Sequence, residues 1–198
     1  MDIVTIILIV VGVILGIALI AAIIGIISWW IKTYNKLVEA AQKVQNQWSQ
    51  IDVQLRKRYD LIPNLVETVK GFAKHEKETL ENVIMWRSRA TSATTTEDAI
   101  EANNGLSNAI GRLLVSIEKY PELQANTNFM ALQAELKDIE NKIAYARQFY
   151  NDTVQKNNEL IQKFPSSIIA KRHTDKFKIE KYFEVADVIR EEAPKVSF

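Results

Sequence analysis

The stretch Leu55-Arg56-Lys57-Arg58-Tyr59-Asp60-Leu61-Ile62-Pro63-Asn64-Leu65 decides the fold. Apolar residues reach it from both sides at alternating steps of four and three. Leu37, Ala41, Val44, Trp48, Ile51 and Leu55 precede it; Ile62, Leu65, Val69 and Phe72 continue the series, with Val83 and Trp86 beyond. Such spacing is a helix-packing seam, not a strand pattern. Arg58 and Glu76 stand at seam positions where an apolar residue is due.

The seam belongs either to one rod or to two helices. Inside a helix, proline removes a hydrogen bond and clashes with the preceding turn, at ~3 kcal/mol, but a first turn tolerates it. Asp60 can cap a helix that begins at Leu61, which puts Pro63 in that first turn. A single rod from Lys32 to Ala90 would span ~85 Å at about 1.5 Å per residue, with no partner of matching length. The chain is therefore expected to end one helix near Arg58 and begin another at Leu61. The connection Arg58-Tyr59-Asp60 is tight, and no glycine eases it.

Toward the C-terminus, Thr91-Ser92-Ala93-Thr94-Thr95-Thr96 is small, β-branched and polar, and reads as a loop. Thr96 is the expected cap of a third helix, with Glu97 and Asp98 in the first turn, where the helix dipole favours acids. Its apolar face is Ile100, Leu106, Ile110, Leu113, Leu114 and Ile117, and Tyr120-Pro121 stops it. Asn126 or Thr127 caps a long fourth helix, with Phe129, Leu132, Leu136, Ile139, Ile143, Ala146, Tyr150, Val154 and Leu160 on one face, up to Phe164-Pro165.

Toward the N-terminus, residues Ile3 to Ile31 carry no charge and close on Trp29-Trp30. A hydrocarbon core of ~30 Å needs ~20 apolar residues in a helix, so this run is long enough to span it with some tilt. A secretory signal would open on a positive region and have a shorter apolar run, whereas this chain opens Met1-Asp2; an uncleaved anchor is expected. Lys32, Lys36 and Lys43 follow the run, which places the body in the cytoplasm and the N-terminus outside by the positive-inside rule. Gly12 and Gly16 form a G-x-x-x-G that lets two helices approach in lipid, although glycine is also simply common in membrane helices.

The expected organisation is all-α. A single N-terminal transmembrane helix (residues 1–31) precedes an up-and-down, antiparallel four-helix bundle with long helices (32–165) and a basic, aromatic tail (166–198). Alternating helices return the chain to the membrane side near Phe164. Lys171, Arg172, Lys176, Lys178 and Lys181 then form a candidate membrane-surface contact with an anionic leaflet. The same segment also fits a solvated tail, or one packed on the bundle through Phe177, Tyr182 and Phe183.

Composition excludes several classes of function. Net charge is +1, with acids and bases interleaved, so no footprint for nucleic acid exists. With no cysteine there are no disulfides, thiolate zinc sites or cysteine nucleophiles. Six glycines and four prolines suit long helices better than a many-turned β-protein. Phosphate-cradling and nucleophile-elbow motifs are absent. His75-Glu76-Lys77-Glu78-Thr79 has threonine where a metalloprotease helix needs its second histidine, and no Glu-x-x-His occurs for a di-iron bundle. No catalytic, cofactor-binding or metal-binding residues are expected. Arg58, Asn64, Glu76, Glu140, Arg147 and Asn151 form a candidate structural polar network, since buried charges are seldom left unpaired; Asn141 and Asn157 also flank helical faces.

Longer motifs add a resemblance. Tyr34-Asn35-Lys36-Leu37-Val38, Trp48-Ser49-Gln50-Ile51-Asp52-Val53-Gln54-Leu55 and Arg56-Lys57-Arg58-Tyr59-Asp60-Leu61-Ile62-Pro63-Asn64-Leu65-Val66 look like the opening of the LemA family. So do His75-Glu76-Lys77-Glu78, Glu118-Lys119-Tyr120-Pro121-Glu122-Leu123, Glu140-Asn141, Ala146-Arg147, Tyr150-Asn151 and Phe164-Pro165. The ending Tyr182-Phe183-Glu184 with Ala193-Pro194-Lys195-Val196-Ser197-Phe198 is similar too. Ala170 to Lys181 departs from the pattern, being more basic than the small, glycine-containing linker the family has there. The resemblance implies a bacterial single-pass membrane protein with a four-helix body and no established activity.

Three functions follow as expectations. The first is a non-catalytic, membrane-anchored scaffold or adaptor, homo-oligomeric and in contact with lipid and with other membrane or envelope proteins. The second is a sensor with a ligand held between helices, for which Arg58, Asn64 and Arg147 are the candidate contacts if they line a pocket. The third, a hydrolase using Glu76, Glu140 or His75, has no visible nucleophile or metal set to support it.

Overall fold

A computed structural model describes residues 2–73 and 75–184, and every regular element among them is helical. The motif Ala193-Pro194-Lys195-Val196-Ser197-Phe198 and the rest of the tail beyond Glu184 lie outside the described residues. Helix α1 runs from Ile3 to Phe72 without interruption. After it come α2 (Lys77–Thr91), α3 (Thr96–Ile117), α4 (Pro121–Gln124), α5 (Thr127–Gln162) and α6 (Ser166–Arg172).

The expected reversal at Arg58-Tyr59-Asp60 is therefore corrected: Pro63 lies inside α1, and the break comes after Phe72. Pro63 has no N–H to give the carbonyl one turn back, that of Tyr59. Arg87 of α2 takes that place, donating from Nε to the Tyr59 oxygen at 2.7 Å. A charge-assisted bond to the orphaned carbonyl offsets much of what proline removes. The compensation comes from another helix, 28 residues along the chain.

The chain groups into two compact units. One comprises the residues up to Val44 together with Gln155–Glu180. In it the apolar run of α1 is exposed along its length, and this helix is long and apolar enough to cross a membrane, with a window of mean hydropathy 3.3. That supports a membrane location. Just beyond the run, Leu37, Ile169, Ala170 and Phe177 make a small buried cluster, against which Trp29, Trp30, Tyr34, Leu160 and Ile161 pack. Helix α6, for which the sequence reading made no provision, is fixed here. Ser166 closes the turn before it by donating to the carbonyls of Leu160 and Lys163, at 2.6 and 2.9 Å.

The other unit comprises Gln45–Val154 and the segment from Lys181. Its core takes Ile51, Leu55, Ile62, Leu65 and Val69 from α1, Leu80 and Val83 from α2, and Ile100, Leu106, Ile110, Leu113 and Ile117 from α3. Leu123 of α4 and Phe129, Leu136, Ile139, Ile143 and Tyr150 of α5 complete it. Most of these are periodic positions of the sequence; Leu80 and Leu123 lie outside the expected series, Trp48, Trp86, Leu114, Leu132 and Ala146 within it are only half-buried, and Phe72 is 40% exposed while Ala73 beside it is buried. The cap of α3 is Thr95, one residue before the expected Thr96; its hydroxyl oxygen accepts from the Asp98 N–H at 3.1 Å. Asn126 caps α5, accepting from the Phe129 N–H at 3.0 Å. Gly105 on α3 admits the Trp86 indole of α2 so closely that a Cβ there would lie 2.3 Å from the ring.

Candidate functional site

Arg58 follows Leu55 and precedes Ile62 on the buried stripe of α1, so its guanidinium enters the core and is 0% exposed. Nη1 donates to Glu140 Oε1 on α5 and to Ser107 Oγ on α3, both at 2.8 Å. Nη2 donates to the Asn103 side-chain oxygen, which also accepts from the Tyr59 hydroxyl at 2.9 Å. Asn103 in turn gives its amide to the Ala99 carbonyl at 2.7 Å. One guanidinium thus ties α1 to α3, through Ser107 and the fully buried Asn103, and to α5, through Glu140. Glu140 keeps its side chain 35% exposed, so the ion pair is half wet.

Arg147 lies one α5 segment on, with its guanidinium 4.1 Å from the centre of the Phe183 ring. Its buried Nε and Nη2 have no hydrogen-bond partner among the described residues. Burial pushes its pKa down to about 10, helped by the like charge of Arg58 and opposed by Glu140. Arg147 remains a cation at neutral pH. Burial likewise raises the Tyr59 phenol, against the lowering effect of its bond to Asn103. The bonds of Arg58 and Asn103 link α1 to α3 and α5 in one hydrogen-bonded network.

The remaining expected residues are distributed as follows. Asn64 is exposed on α1, and its backbone carbonyl accepts from Thr68. Glu76 precedes α2 and accepts from the Tyr120 hydroxyl at 3.2 Å. Asn151 holds the peptide of Phe183 from both sides, accepting from its N–H at 2.8 Å and donating to its carbonyl at 3.3 Å. In the first unit Asn158 grips Glu180 in the same two-bonded way, at 2.9 Å each. Gly12 and Gly16 face open space. Lys171 and Arg172 are exposed at the end of α6, and Lys178 is exposed beyond it. Lys176 donates to the Tyr34 hydroxyl at 3.3 Å, and Lys181 pairs with Glu97 at 2.8 Å.

Sequence reasoning missed Asn103, Tyr59, Arg87 and the Asn158 grip. Asn103 sits in a polar pair, Asn103-Asn104, that reads as a helix surface; only its place three residues after Ile100 and three before Leu106 hinted at burial. A cleft of 580 Å³, lined by Trp48, Asp52, Arg56, Tyr59, Asp60 and Arg87 among others, also escaped notice. Arg58, Asn64 and Arg147, candidate ligand contacts only if they line a pocket, do not line this one.

These features define a class: an all-helical protein with an apolar N-terminal helix able to cross a membrane and a body held by buried polar bonds. The sequence model of the LemA family matches residues 47–198, and the chain belongs to the LemA family. It is similar to the magnetosome protein MamQ 2 of Paramagnetospirillum magneticum, 24% identical over 189 residues, covering 82% of this chain and 69% of that one. The magnetosome protein MamQ of Magnetospirillum gryphiswaldense is 25% identical over 175 residues, covering 75% and 64%. Protein LemA of Metamycoplasma hominis is 22% identical over 139 residues, covering 70% and 64%. The chain spans about two thirds of the length of these relatives.

Proposed function

We propose that the protein is a non-catalytic, membrane-anchored scaffold whose body is an antiparallel helical bundle. It self-associates and organises the surrounding membrane or a protein partner, with the body on the cytoplasmic side. The observation that carries this reading is α1: one uninterrupted helix contains both the apolar, exposed run and the core stripe from Ile51 to Val69. The polar residues that interrupt the stripe are spent on interhelical bonds, which fits a body selected for a defined shape. The likeness to two magnetosome proteins supports a role in a membrane-associated assembly.

Self-association through the open Gly12 and Gly16 face has a direct test in cells. The chain contains no cysteine, so Gly12→Cys or Gly16→Cys in the full protein adds a single thiol. A disulfide-linked dimer formed by an oxidant at both positions, and absent at Ile14→Cys, supports a helix pair on that face. No dimer at any of the three removes it.

A sensor is the second reading, and the 580 Å³ cleft is the observation in its favour. Asp52, Arg56, Asp60 and Arg87 give it both signs of charge, which suits a small zwitterionic or peptide-like ligand. Protection of Trp48 fluorescence by a candidate ligand, lost in Arg56→Ala, would raise this reading above the first.

A further inference from the structure

We propose that α6 and the turn before it form an interfacial foot that lies in the headgroup layer of an anionic leaflet, beside the crossing helix. This inference rests on the membrane-anchored reading and deepens it by naming the lipid class.

Depth comes first. Indole rings prefer the headgroup level, so Trp29 and Trp30, at the end of the apolar run, mark that level on α1. The cluster packed against them is built from Ile169 and Ala170 of α6 and Phe177 after it. Tyr34, one turn past the tryptophans, stacks edge-on against Phe177 and His173 at 5.6 and 5.4 Å. Helix α6 is thereby held at the depth of the tryptophans.

Its outward side suits that depth. Ser166, Ile169 and Ala170 face inward, while Ile168 is 48% exposed and Phe164, just before the helix, is 82% exposed. Phe164 and Ile168 together leave apolar surface open next to the cluster, and the acyl boundary accepts such surface. Lys171 and Arg172 follow on the same exposed side, and neither has an ion pair among the described residues. Between Lys163 and Lys178 the only carboxylate is Asp175. Apolar side chains followed by unpaired cations are the pattern of an interfacial element on anionic lipid.

The test uses the full chain in nanodiscs, made either of phosphatidylcholine or of phosphatidylcholine with phosphatidylglycerol. Single cysteines at Phe164→Cys and, separately, Ile168→Cys carry an environment-sensitive fluorophore; Ile20→Cys supplies the lipid reference and the free dye the water reference. Blue-shifted emission at both positions, quenched by spin labels attached to lipid, is the expected result. The quenching should deepen with phosphatidylglycerol, and Lys171→Gln with Arg172→Gln should abolish that deepening. A water-like signal at both positions in both lipids overturns the foot. Blue-shifted emission that lipid-borne quenchers do not reach overturns it as well, since a second copy of the chain then covers the site. Quenching indifferent to phosphatidylglycerol overturns the anionic preference. Disc mass measured on the same samples reports self-association independently, so failure of the foot and failure of the scaffold are read apart.

Discussion

Arg87 donates to the backbone carbonyl of Tyr59 at 2.7 Å, in the position that the missing N–H of Pro63 would have served. The two residues are coupled through a third, which makes the relationship testable. Arg87→Ala should cost ~1.5–3 kcal/mol, the range for a charged hydrogen bond to a carbonyl left buried. Pro63→Ala should stabilise, because it restores the helical bond. In the double variant the Arg87 penalty should shrink by more than half, read by urea unfolding of the full chain in detergent. Additive penalties would mean that Arg87 does not compensate for the proline.

Gly105 and Trp86 form a second, steric pair. Since a Cβ at position 105 would lie 2.3 Å from the indole, Gly105→Ala should destabilise by ~1–3 kcal/mol through overpacking. Trp86→Leu in the same chain should recover part of that loss, and a thermal melt of the three variants decides it.

The buried Arg58 and the half-buried Arg147 should respond in opposite ways to the loss of a partner or of the charge. Glu140→Gln leaves Arg58 buried near Arg147 without its carboxylate; with Glu140 partly wet, a loss of ~2–3 kcal/mol is expected, below the cost of breaking a fully buried pair. Arg147→Met removes a cation with two unpartnered N–H groups and should be neutral or stabilising, despite losing the contact with Phe183. Denaturation midpoints of the two variants against the parent chain measure the contrast.

What the sequence made legible was the part that depends on local pattern. The alternating seam from Leu37 to Val69 marked the buried face of α1, and Asn126-Thr127 announced the start of α5, with Asn126 the one of the two that caps it. Arg58 stood out because a charge interrupted an apolar stripe, and Glu140 because it was a charge flanking a helical face. The reversal expected at Pro63 failed for a tertiary reason: the donor that satisfies Tyr59 lies on α2, and no local rule places Arg87 there. Asn103 was hidden for a similar reason, because an asparagine becomes a hub only when its neighbours bring Arg58 and Tyr59 to it. The asparagine grips depend on register. Asn151 and Asn158 are two helical turns apart and hold Phe183 and Glu180, three residues apart, a match that appears only once the chain has folded back.

Alkaline pH should expose the Tyr59 bond. Its phenol is raised in the fold by burial, so its contribution is complete below the unfolded value near 10 and is lost as pH rises through the folded one. Arg147, lowered to about 10, acts in the opposite sense: the folded state sheds that proton first, and stability rises with pH above that point. The stability advantage of the parent chain over Tyr59→Phe should be constant to about pH 9 and shrink above pH 10. Unfolding midpoints at stepped pH check the sign, and an advantage that grows above pH 10 would contradict it.

The mass of the full chain in nanodiscs, measured beside the body from Lys32 onward in solution, tests the scaffold most directly. A discrete oligomer of the full chain is the expected result, and its loss in the isolated body would place assembly on the helix face of Gly12 and Gly16. A single chain per disc at every protein concentration, with the body monomeric as well, would contradict a self-associating scaffold.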